Sequence, residues 1–140
     1  MKNKLTLFIC CFVIFSCSKK EDESCVIMEY GTFDVYQRDM KVGTFYRKDS
    51  LQVETYVGKK ITGLTKVKQL TKCTYILRSY WPKKDIDTIH FTASYSKGEN
   101  NEIIYEMTPT FLATKSKLSG KILKVSDTID SKILKMFGKH

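Results

Sequence analysis

From Glu29 onward, apolar and polar positions alternate with a period of two, and turn-forming residues break the pattern at short intervals. Tyr30 to Tyr36 places Phe33 and Val35 on one side and runs into the polar turn Gln37-Arg38-Asp39. Val42 to Arg47 leads to Lys48-Asp49-Ser50, and Leu51 to Val57 runs back. A three-residue loop at 48–50 pairs Phe45 with Val53 and Arg47 with Leu51, leaving Thr44, Tyr46, Gln52 and Glu54 on the other face. A one-residue slip would mix those faces, which is the reason for preferring this register. Gly58-Lys59-Lys60 turns the chain again before a less regular stretch from Ile61 to Leu70. Cys73 to Trp81 sets Tyr75, Leu77 and Ser79 against Thr74, Ile76 and Tyr80, and Pro82 ends it. Ile86 to Ser96 carries Ile89, Phe91, Ala93 and Tyr95 on one face, with Thr88, His90 and Thr92 on the other. Lys97-Gly98-Glu99-Asn100 reads as a hairpin loop, Asn101 to Met107 returns, and Pro109 breaks the run. Phe111 to Lys115 and Lys121 to Val125 flank Ser119-Gly120.

About eight short strands joined by short turns predict an all-β antiparallel meander. Such a meander must hide its edge strands, and closure does so. The expected fold is a small lipocalin-like barrel or half-barrel, with a two-sheet sandwich as the alternative. In the tail, Ile129, Ile133 and Met136–Phe137 recur at roughly helical spacing, with Asp127 and Asp130 early and Lys132 and Lys135 late. That charge order complements a helix dipole and predicts a short C-terminal helix.

The start of the chain follows different rules. Lys2 and Lys4 precede a run from Leu5 to Phe15 that is apolar except for Thr6. As a helix, about eleven such residues would span roughly 16 Å, about half of a bilayer core. The pattern is that of an export signal. Its end, Ile14-Phe15-Ser16-Cys17, resembles the lipobox of bacterial lipoproteins, with Phe15 bulkier than the usual occupant. The resemblance implies cleavage between Ser16 and Cys17, a diacylglycerol on the Cys17 thiol, and acylation of the freed amine with a chain such as palmitate. Two or more acyl chains give stable anchoring. The polar stretch Ser18-Lys19-Lys20-Glu21-Asp22-Glu23-Ser24 has nothing to bury and reads as a tether. Lysine followed by acidic residues also resembles a surface-export signal in lipoproteins of one branch of Gram-negative bacteria. The expected organisation is a signal peptide at 1–16, lipidated cysteine and tether at 17–28, a β domain at 29–126, and a basic helical tail at 127–140. The expected location is the outer membrane, lipid-anchored, facing the periplasm or the cell surface.

Cysteine usage changes once that address is read. Cys10 and Cys11 leave with the signal and Cys17 is lipidated, so Cys25 and Cys73 remain in an oxidising compartment. They are candidates for a disulfide; the alternative is two unpaired cysteines, one buried as a small hydrophobe. No CxxC exists, and the two histidines are His90 and His140, so no metal site is expected.

At 140 residues and 16.2 kDa the chain allows one domain. Its formal charge is +9 and its pI about 9.3. Loss of residues 1–16 removes two lysines and leaves +7, and residues 111–140 hold seven lysines against Asp127 and Asp130. The basic character therefore belongs to the C-terminal segment. In an exported protein it suits anionic headgroups or polysaccharide better than nucleic acid.

Catalytic constellations are not apparent. One internal histidine among threonines supports no Ser-His-Asp or Cys-His arrangement, no glycine-rich phosphate loop occurs, and no carboxylate pair sits in an apolar setting. Neither an enzyme nor a cofactor is expected. The chemistry-bearing set is Tyr46, Arg47, Gln52, Glu54, Tyr56 and Trp81. These residues either point into a barrel lumen and orient a ligand or form the solvent face of a hairpin. Gly31-Thr32-Phe33, Phe45-Tyr46-Arg47-Lys48-Asp49-Ser50 and Gln52-Val53-Glu54 resemble a group of small Gram-negative bacterial lipoproteins over about the first third of the mature chain. That group brings no established activity. The expected function is binding of a small hydrophobic or amphipathic ligand, with docking on an envelope or outer-membrane protein complex as the alternative.

Overall fold

The computed structural model describes residues 24–59, 63–80, 90–110 and 116–138. Eight strands follow one another: β1 (Tyr30–Gln37), β2 (Met40–Lys48), β3 (Leu51–Tyr56), β4 (Gly63–Gln69), β5 (Thr74–Ser79), β6 (Phe91–Lys97), β7 (Ile103–Pro109) and β8 (Leu118–Ser126). Each pairs antiparallel with the next, and β8 returns to pair with β1, so the sheet is a closed barrel. Among the described residues one short helix, α1 (Ser131–Phe137), follows. The sandwich is excluded. Closure leaves no strand edge to attract another chain. Register shifts on β1, between Thr32 and Phe33 against β8 and between Val35 and Tyr36 against β2, supply the local bends that closure needs.

Two turns set the register. Arg38 and Asp39 both have positive φ, 48° and 61°, and form the two-residue link between β1 and β2. That backbone matches the right-handed twist of flanking strands. The β2–β3 link is also two residues, Asp49 and Ser50, with Asp49 at φ 53°. This corrects the expected three-residue loop. Lys48 stays in the ladder opposite Leu51, Arg47 faces Gln52, Tyr46 faces Val53 and Phe45 faces Glu54.

The physical reason is that both faces of this hairpin are buried. Phe45, Arg47 and Gln52 point into the barrel, whereas Val53 packs outside it with Ile129, Ile133 and Phe137, flanked by Tyr46, Leu51 and Leu64. Segregating apolar from polar side chains therefore does not identify the inside. The helix covers the second face, as the spacing of Ile133 and Phe137 requires, and Asp130 caps it by accepting from the Lys132 amide at 2.7 Å.

A further correction concerns Ser119 and Gly120, expected between two strands and found within β8. A Cβ on Gly120 would lie 2.2 Å from the Tyr36 carbonyl oxygen and 2.8 Å from the Tyr105 ring. The sheet closes tightly here only because that position has no side chain. Phe111–Lys115, the turn after Trp81 and the start of the 86–96 run lie outside the described residues.

One pole of the barrel is floored by the chain that precedes β1, within the stretch expected as tether. Cys25 bridges to Ser96, the Lys97 amide donates to the Ser24 carbonyl at 2.6 Å, and the Asp49 amide donates to the Glu29 carbonyl at 2.9 Å. Met28 is 3 % exposed and joins the lumen cluster of Phe33, Phe45, Tyr75, Tyr95 and Tyr105. A disulfide joins Cys25 to Cys73 across a Cα separation of 4.9 Å.

The bridge closes a loop with a sequence separation of 48. Replacing both cysteines by serine should lower the unfolding free energy by about 4 kcal/mol on the loop-entropy model. Urea unfolding of the wild type with and without reductant should show the same loss, and equal midpoints would contradict it.

Candidate functional site

The half of the lumen away from the Met28 floor holds a cavity of about 470 Å³. It lies toward the pole where the β3–β4, β5–β6 and β7–β8 connections fall. Its walls are largely apolar, with Val35, Phe45, Leu77, Phe91, Met107 and Ile122 contributed by separate strands. The period-two alternation brings them together: every second residue of each strand faces the lumen.

Two hydrogen-bonded polar groups stand on this wall. The first begins with Arg47, which is 0 % exposed. Its Nε donates to Gln52 Oε1 at 3.1 Å, its second guanidinium nitrogen donates to the same oxygen, and the remaining nitrogen donates to the Met28 carbonyl at 3.3 Å. The guanidinium carbon stands 5.3 Å from the Phe45 ring centroid and 5.7 Å from those of Tyr75 and Tyr95. Cation–π contacts contribute about 0.5–1 kcal/mol when exposed and about 2 kcal/mol or more when desolvated. Gln52, 4 % exposed, passes the polarity on: its Nε2 donates to Glu54 Oε1 at 2.6 Å. Thr65 Oγ1 donates to the same carboxylate at 3.3 Å, and the Tyr56 hydroxyl donates to Glu54 Oε2 at 3.2 Å. Gln52, Glu54, Tyr56 and Thr65 all line the cavity.

The second place is across the lumen, where Gln37 Nε2 donates to the Tyr105 hydroxyl at 3.0 Å. Both residues line the cavity, and Tyr105 is 2 % exposed.

The electrostatics follow from this arrangement. The Glu54 carboxylate, with burial second, pushes the Tyr56 phenol up to about 12 and keeps it a hydrogen-bond donor. Burial raises Tyr75 and Tyr95 above the ordinary tyrosine range, against the opposing pull of Arg47. Among the described residues no group of three His, Cys, Asp or Glu could hold a metal ion, and no helix is long and apolar enough to cross a membrane.

Of the sequence-derived candidates, Arg47, Gln52, Glu54 and Tyr56 form one chain of hydrogen bonds that runs from the buried lumen out to the half-exposed Tyr56 at the rim of the cavity. The solvent-face reading is overturned for Arg47 and Gln52 by their burial. Tyr46 is elsewhere, on the outer wall against the helix cluster. Trp81, Ser16 and Cys17 lie outside the described residues. Gln37, Thr65, Ser79 and Tyr105 were not anticipated as lining residues; the alternation places them inside once the register is known.

The basic C-terminal segment is partly neutralised. Lys117 pairs with Glu106 at 3.0 Å, Lys121 lies 3.3 Å from both Asp39 and Glu102, and Lys124 pairs with Asp127.

These features define a closed eight-stranded antiparallel barrel with a part-filled lumen. Comparison with family models, with curated proteins and with solved structures finds no match.

Glu54→Gln removes the charge beside Tyr56 and should bring that phenol down toward the ordinary value of 10.0. Because the folded-state pKa is raised, the stabilisation is complete below pH 10 and is lost as pH rises through about 12. Phenolate absorbance across an alkaline titration should show one tyrosine titrating earlier in the variant; superimposable curves would refute the pairing.

Proposed function

We propose that this chain is a membrane-anchored cell-envelope lipoprotein whose small β-barrel binds a hydrophobic or amphipathic ligand. The observation that carries the binding reading is the cavity itself, about 470 Å³ with largely apolar walls and two separated hydrogen-bonded polar groups. That volume is within the usual range for small-molecule sites, which pair an apolar lining with a few placed polar groups. The anchoring reading rests on the lipobox-like Ile14-Phe15-Ser16-Cys17 and the lysine-bearing apolar run before it.

A second reading, an interaction module docking on an envelope or outer-membrane protein, draws on exposed apolar side chains beside the cavity. Met40 is 67 % exposed and Val57 64 %, with cavity-lining Tyr56 and Leu118 also partly exposed.

Gly63 lines the cavity, and a Cβ there meets nothing within 4 Å, so Gly63→Trp adds an indole at the site without a clash at its Cβ. The neutral fluorophore N-phenyl-1-naphthylamine should bind the wild type, with at least about tenfold weaker binding to the variant. Absence of binding, or equal binding to both, would favour the docking reading. Metabolic labelling with a fatty acid should mark the wild type and not Cys17→Ala; equal labelling would remove the anchor.

A further inference from the structure

Ion pairs between described residues engage Lys117, Lys121 and Lys124, on or beside β8, and Lys41 on β2. The β4–β5 hairpin is composed differently. Residues 63–80 hold Lys66, Lys68, Lys72 and Arg78 and no aspartate or glutamate, and all four cations are exposed. Strand alternation accounts for three of them: Thr65, Val67, Tyr75 and Leu77 turn inward, which leaves Lys66, Lys68 and Arg78 on the outer wall. Lys66 stands directly opposite Arg78 in the ladder and lies 4.5 Å from the Tyr80 ring centroid. Like charges facing one another across a ladder cost stability. An anionic surface laid on this wall would turn that cost into attraction. Asp49, in the neighbouring β2–β3 turn, makes no ion pair with these cations among the described residues.

The tip of the hairpin adds an apolar point. Leu70 is 48 % exposed, between Lys68 and Lys72. The backbone around it is tied: the Leu70 amide donates to the Thr74 carbonyl at 2.8 Å, and Thr71 Oγ1 accepts from the amides of Cys73 at 3.3 Å and Thr74 at 3.1 Å. The disulfide then fixes where this tip lies relative to the N-terminal end, because Cys73 is bonded to Cys25. Eight residues separate Cys25 from Cys17, a reach of at most about 29 Å. Lys19 and Lys20 offset two of the three acids at 21–23, so that stretch brings one net negative charge against four positive charges on the hairpin.

We propose that the tip of the β4–β5 hairpin docks on the bilayer that holds the anchor, with Lys68 and Lys72 against its phosphate head groups and Leu70 entering the head-group boundary. Lys66 and Arg78 extend the positive wall behind the tip. Apolar side chains flanked by lysine bind such interfaces through buried area and charge together. The docked barrel keeps its cavity on the side away from that bilayer, since the cavity lies toward the opposite pole. This docking rests on the lipid-anchor reading above and names the surface that orients the anchored barrel.

Fluorescence quenching tests it, with the lipidated protein in vesicles of dibrominated phosphatidylcholine and phosphatidylglycerol. Leu70→Trp places an indole at the tip, and Val57→Trp, at a position 64 % exposed toward the opposite pole, is the control. Wild-type emission, from Trp81, is subtracted from both. Brominated lipid should quench the indole at position 70 at least about twofold and leave that at 57 unchanged. Lys68→Glu with Lys72→Glu should abolish the difference, and so should 1 M salt, at which the screening length is about 3 Å. If Leu70→Trp does not fold, hydrogen exchange of the 69–72 amides in the wild type decides: slower exchange on anionic than on neutral vesicles supports the docking, and equal exchange overturns it. Equal quenching at 70 and 57, or quenching at 70 that survives both charge reversal and salt, would overturn it while the anchor stands. Emission at 70 that ignores vesicles and shifts with polygalacturonate would overturn it in favour of an anionic polysaccharide. A wild type that carries no fatty-acid label and does not float with vesicles would instead overturn the anchor reading, and this docking with it.

Discussion

Arg47 carries a permanent charge to a point with no solvent exposure, and much of the barrel is arranged to accept it. An uncompensated guanidinium there would cost several kcal/mol. Compensation comes without a directly bonded carboxylate among the described residues: one amide oxygen, one backbone carbonyl and the faces of three rings share the charge. Each of those partners is thereby positioned. The Met28 carbonyl ties the segment before β1 to the lumen, Gln52 is oriented so that its other end meets Glu54, and the rings of Phe45, Tyr75 and Tyr95 gather on the filled side. The cation divides the barrel interior. On its floor side the lumen is packed with aromatics, and beyond Gln52 it holds a cavity.

That division depends on the β2–β3 hairpin serving two interiors at once. One face contributes Phe45, Arg47, Gln52 and Glu54 to the lumen, and the other contributes Tyr46, Leu51 and Val53 to the seat of α1. The helix therefore helps to hold the wall on which the polar chain is mounted. Loss of its packing would loosen the outer face of the same two strands whose inner face aligns Gln52 with Glu54. Stability and site geometry are coupled here through a single hairpin.

This explains which parts of the molecule were legible in the sequence. Alternation in Tyr75–Leu77 and in Phe91–Ala93–Tyr95 marks inward positions correctly, because those strands have one buried face and one wet one. The meander of about eight strands, its closure and the terminal helix follow from the same reasoning. At 45–54 it fails, since a turn one residue shorter than expected and a second buried face reverse the partners of Arg47 and Val53. Ser119-Gly120 looked like a turn because glycine next to serine is turn chemistry, whereas the glycine is required by the approach of Tyr36 and Tyr105. The hydrogen-bonded order Arg47, Gln52, Glu54, Tyr56 was partly readable as a cluster of polar residues in adjacent strands. Gln37 and Tyr105 were not, because they are 68 residues apart and meet only when β8 closes on β1 and β7.

The disulfide also has a mechanical meaning. If the chain is anchored through its N-terminal end, as proposed above, any pull is loaded through that end. Without the bridge, tension arriving at Ser24 would run along the strap into Tyr30 and peel β1 from its neighbours one hydrogen bond at a time. The Cys25–Cys73 bond supplies a shorter route, passing the load sideways into the start of β5 on another part of the barrel wall. The strand pair that closes the sheet, β1 with β8, is thus shielded from the first pull. On that reading the barrel would hang from a covalent rivet rather than from its own seam.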